Sequence, residues 1–96
     1  MDAKEFVANW NALRAELLAA FMAPDATSDV AAKVRAMGLS AEQSAQMQDV
    51  LDTAVKDTMV ALLLGLDGEA SIGGSQQAFT IADEDGNVIQ GIEEAV

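Results

Sequence analysis

The chain contains no cysteine, no histidine and no tyrosine. The first absence excludes disulfides, thiolate metal centres and cysteine nucleophiles. The second removes the commonest general base and the commonest transition-metal ligand. An enzyme built from this sequence would have to work with carboxylates, hydroxyls and five basic residues, so the composition argues against catalysis. Aromatic side chains are scarce too: Phe6, Trp10, Phe21 and Phe79 are the whole set. The core must therefore come from Leu, Val, Ile and Met packed among many alanines. In 96 residues that predicts one small domain with a thin stability margin, for which burial in a homodimer is one remedy. The longest apolar run, Met59 to Leu64, falls far short of the roughly 20 residues that span a bilayer. The opening Met1-Asp2-Ala3-Lys4-Glu5 is not a basic stretch leading into an apolar one. The expectation is a soluble, cytoplasmic protein with no membrane partner.

Positive charge is the next shortage. From residue 36 onward Lys56 is the single cation among eleven Asp and Glu, whereas residues 1–35 set five acids against Lys4, Arg14, Lys33 and Arg35. A surface of one sign repels like-charged ligands and attracts an oppositely charged partner from a distance. Direct nucleic-acid binding does not fit, because each phosphate contact needs a cation. The inverse does fit: carboxylates offered where a nucleic acid would offer phosphates.

Phe6, Trp10, Leu13, Leu17 and Phe21 recur at spacings of three and four, which predicts an amphipathic helix over about residues 3–22, stopped by Pro24. Ala8, Ala12, Ala15 and Ala19 form a second stripe. It reads either as helix-favouring filler on an exposed face or as a small-residue seam where another helix packs. Thr27 or Ser28 can cap a second short helix that Gly38 ends; Lys33 and Arg35 in its later half suit the helix dipole. Ser40-Ala-Glu-Gln43 is a capping box. It opens a third helix through Leu64, with Met47, Leu51, Val55, Met59 and Leu62 on one face and Glu42, Asp49, Asp52, Lys56 and Asp57 opposite. Asp52 and Lys56 are spaced as an i, i+4 ion pair. From Met59 onward the helix is apolar all round, which predicts burial on every side.

Gln77, Phe79 and Ile81 then alternate with smaller residues, Asp83-Glu-Asp-Gly-Asn87 is a strong turn, and Val88 to Ile92 returns. The pattern predicts a β-hairpin. The fold class read from the sequence is thus α+β: three helices, the third central, followed by a C-terminal hairpin whose sheet dimerisation could complete.

Two motif matches fail on inspection. Asp83, Asp85, Asn87 and Glu94 sit at positions one, three, five and twelve of an EF-hand loop, but the glycine that belongs at position six is at four (Gly86). An acidic turn is the better reading, with no metal. The glycine-rich stretch 65–75 lacks the Gly-Lys-Ser/Thr ending of a phosphate loop and contains Asp67 and Glu69. No cofactor is expected.

Leu62-Leu-Leu-Gly-Leu-Asp-Gly-Glu-Ala-Ser71, followed by Phe79-x-Ile81-x-Asp83-Glu-Asp-Gly-Asn-x-Ile89, resembles a segment of small uncharacterised bacterial proteins. The resemblance implies a bacterial or phage origin and a helix–loop–hairpin unit; it implies no catalytic residue. The function expected is non-catalytic binding of a basic, nucleic-acid-handling protein, as by an immunity protein, antitoxin or phage inhibitor. The residues expected to carry it are Glu42, Asp49, Asp52 and Asp57 on the third helix and Asp83, Glu84 and Asp85 at the turn. The alternative is a self-associating homodimeric accessory module packed through the alanine stripe.

Overall fold

The computed structural model describes residues 1–96. Four helices follow one another: α1 (Ala3–Met22), α2 (Asp29–Ala36), α3 (Ala41–Leu66) and α4 (Ile92–Ala95). The chain divides into two compact units, one formed by Met1–Asn11 with Asp57–Val96 and the other by Ala12–Lys56. Both α1 and α3 contribute residues to each.

In the first unit Asp2 starts α1, its carboxylate accepting from the Glu5 amide at 2.8 Å. This satisfies one of the amides that a helix start leaves without a partner. One turn on, Phe6, Val7 and Trp10 face the core, where Val7, Leu63, Ile89 and Ile92 cluster with Ala3, Ile81 and Ala95 around them. The Phe6 and Trp10 rings lie 5.9 Å apart. Leu63 and Ile92 are the largest fully buried side chains, each stabilising the fold by about 2–3 kcal/mol through area removed from water. Helix α3 ends in a Schellman arrangement: the Gly68 amide donates to the Gly65 carbonyl and the Glu69 amide to that of Leu64. Gly68 adopts φ +85° there, a conformation that suits a residue without Cβ. Burial on every side of this end is not observed, since Leu62 is 44% exposed.

The expected α+β class is overturned. Helix accounts for 60% of the residues and there is no sheet. The chain does reverse at 83–87, and the Ile89 amide donates to the Ile81 carbonyl at 2.8 Å. Pairing nevertheless stops at the isolated bridge Ala82–Val88. The cause lies on the return side. Alternation would put Val88 and Ile92 on one face, yet Ile89 and Ile92 are buried while Val88 is half exposed. Reaching the core with both isoleucines requires a spacing of three, and Gly91 at φ +76° turns the chain into α4 at that point. With no third strand to support it, a two-stranded ribbon is marginal in water. The helix–loop–hairpin unit implied by the resemblance is accordingly a helix, a loop and a tight turn.

The second unit contains the end of α1, α2 and the first sixteen residues of α3. Ser28 caps α2 by accepting from the Ala31 amide at 3.1 Å, and its hydroxyl donates to the Ala20 carbonyl of α1. One side chain thereby satisfies a helix start and ties it to the preceding helix. Gly38 follows the α2 C-cap with φ +62°. The capping box forms as the sequence predicts, Ser40 and Gln43 exchanging hydrogen bonds of 3.0 and 3.1 Å.

Candidate functional site

The acidic charge belongs mostly to one unit. Unit one holds ten Asp and Glu against Lys4 alone, a formal charge of −9, while unit two holds six acids against four cations, a formal charge of −2. The reason is that α1 and α3 bring the acidic C-terminal third together with the first eleven residues and leave Arg14, Lys33, Arg35 and Lys56 in the other unit.

The residues singled out on α3 differ in their freedom. Glu42, Asp49 and Asp57 are exposed, and neither ion pair of the structure involves them. Asp52 is committed: the Arg14 Nε–H donates to its Oδ1 at 2.9 Å, and Arg14 Nη2 lies 2.9 Å from the same oxygen in an ion pair. Arg14, not Lys56, is thus its partner in the structure. A pair this exposed contributes well under about 1 kcal/mol.

At the turn, Glu84 and Asp85 are exposed, but Asp83 is half-buried and fully occupied. Its Oδ1 accepts from the amides of Asp85 and Asn87, and its Oδ2 from the Asn87 side chain and the Met1 ammonium. These hydrogen bonds, the Asn87 amide foremost, hold its carboxyl down to about 2. Asp83 therefore builds the turn, and Glu84 and Asp85 are what the turn presents. The alanines at 8, 12, 15 and 19 are all exposed, so no helix of the chain covers that stripe.

One cluster escaped the sequence. Asp67, Glu69 and Glu93 bring carboxylate oxygens within 4.8 Å of one another. Asp67 and Glu69 ride on the Schellman end of α3, and Glu93 lies in the first turn of α4. They border a shallow cavity of about 290 Å³ that Phe79 and Val88 also line, both about half exposed. Glu93 is raised above the ordinary glutamate range, first by its hydrogen bond with Asp67 and further by the charges of Asp67 and Glu69. Nothing in the sequence marks Glu93 as a neighbour of Asp67, because residues 88–92 read as a strand and the pattern gives no sign of α4. Chemically the arrangement is a hard, anionic oxygen set beside a mostly polar cavity, suited to a cationic group.

No helix is long and apolar enough to cross a membrane. No protein-family model matches the chain, and no curated protein or solved structure shows significant similarity to it.

Proposed function

We propose that this chain is a non-catalytic acidic binding protein that engages the positively charged surface of a nucleic-acid-handling protein, in the manner of an immunity protein, an antitoxin or a phage-type inhibitor. The observation that supports it is the segregation of charge, −9 on one unit with a single lysine to oppose it. Long-range attraction brings a basic partner to that unit, and short-range pairing fixes it. The anchor is the Asp67, Glu69 and Glu93 cluster, where an arginine or lysine can place its charged end among the carboxylates. Glu84 and Asp85 add charge from the turn of the same unit.

Affinity capture from bacterial lysate, washed at about 0.05 M and then about 0.5 M salt, tests the electrostatic mechanism because screening differs strongly between the two. A basic protein retained at low salt, released at high salt and lost to the variant Asp67→Asn, Glu69→Gln, Glu93→Gln is the expected result. Retention unchanged by that variant would remove the cluster from the interface. Retention independent of salt would remove the mechanism.

A second reading, self-association, has its own support. Nine large apolar side chains are exposed, and association with a second copy would remove part of that area from water. It predicts a dimer mass by light scattering that high salt leaves intact.

A further inference from the structure

The second unit carries a cavity with the opposite chemistry. It has a volume of about 390 Å³, within the range of small-molecule pockets, and lies between the end of α1, α2 and the start of α3. Phe21, Met22, Val34 and Leu39 supply its apolar walls, and no Asp or Glu lines it. Arg35 is its one charged lining residue, and its guanidinium takes part in neither ion pair of the structure. The Ser44 hydroxyl is a second polar group on the wall. Gly38 also borders the cavity.

Lys4, Lys33 and Lys56 make no ion pair either; what sets Arg35 apart is that it borders an apolar cleft with no carboxylate on its walls. The helix dipole accounts for a cation near the end of α2, but not for the apolar cleft beneath it. We infer that the cavity binds a small apolar monocarboxylate, its hydrocarbon body between Phe21, Val34 and Leu39 and its carboxylate on Arg35. Guanidinium and carboxylate match in charge and in planar geometry, and the apolar walls supply the rest by burial.

The full chain, labelled with nitrogen-15, is titrated with octanoate and in parallel with 1-octanol while amide shifts are recorded. Octanoate should bind saturably, with a dissociation constant on the order of 1 mM for so small a ligand, moving amides of residues 21–24, 34–39 and 44. Arg35→Gln, a change at an exposed position that leaves the fold intact, should weaken octanoate about tenfold and leave 1-octanol unaffected. The inference is overturned if the alcohol binds as tightly as the acid, if Arg35→Gln leaves octanoate binding unchanged, or if no saturable shift occurs. Amide shifts in this region that depend on protein concentration without ligand would overturn it as well, since a second copy would then fill the groove.

Discussion

The indole N–H of Trp10 donates to the carbonyl oxygen of Met59 at 3.2 Å, joining α1 to α3 across 49 residues of sequence. The same ring packs against Phe6 and borders the core around Leu63. Trp10 thus contributes area and direction at once. Trp10→Phe keeps most of the area and loses the hydrogen bond, so it should cost about 1 kcal/mol. Trp10→Ala loses both and should cost about 3 kcal/mol. Urea unfolding of the two variants separates these contributions; equal losses would show that the hydrogen bond is immaterial.

Ser28 and Ser40 cap different helices in different ways. Ser40→Ala removes one half of a capping box at an exposed helix start and should cost about 1 kcal/mol. Ser28→Ala removes the α2 cap and the bond to Ala20 together and should cost about 2 kcal/mol. Thermal melts of the pair give the order directly.

Gly68 and Gly73 both have positive φ, but only Gly68 has backbone beside it. A Cβ there would stand 3.3 Å from the Ala78 Cα, whereas at Gly73 it would meet nothing within 4 Å. Gly73→Ala should therefore cost only the backbone conformation, about 1 kcal/mol. Gly68→Ala should cost about 2 kcal/mol or more, because it also pushes the 77–78 segment away from the end of α3. Similar losses in denaturant melts would show that the segment yields without resistance.

Two carboxyls give stability opposite dependence on pH. Asp83 falls from 3.8 to about 2 on folding. Its contribution is therefore present above pH 4 and lost as pH falls through about 2. Asp83→Ala should flatten the acid limb of the stability curve in that window. Glu93 is shifted upward from 4.5, so its contribution is present below that value and lost as pH rises through the folded one. Glu93→Gln should remove the repulsion from Asp67 and Glu69 and raise the melting temperature at pH 7. Urea midpoints at intervals between pH 2 and 7 read both effects, and a lower midpoint for Glu93→Gln at pH 7 would contradict the second.

Local signals in this chain are legible wherever neighbours in sequence decide the outcome. The spacing of Phe6, Trp10, Leu17 and Phe21 and the stop before Pro24 place α1, which the structure forms over Ala3–Met22. Ser40 and Gln43 lie three residues apart, so their reciprocal bonds follow from one helical turn. Leu13, in the same apolar stripe, is 41% exposed, because periodicity says which side is apolar and not how much of it finds a neighbour.

What the sequence by itself determined was three helices, the capping box of the third, an acid-rich final third and the chemistry that an absence of cysteine and histidine forbids. The tertiary structure decided the rest, because it depends on distant residues. Ile89 and Ile92 both enter a core made by Val7 and Leu63, and that demand overrides the alternation that predicts a strand. The α4 turn that results carries Glu93 to Asp67. Arg14 reaches Asp52, 38 residues along the chain, and so takes one of the four carboxylates of the α3 face out of contention. Burial energy from a few isoleucines exceeds the small gain from pairing two short strands, and the location of the acidic site follows from that inequality.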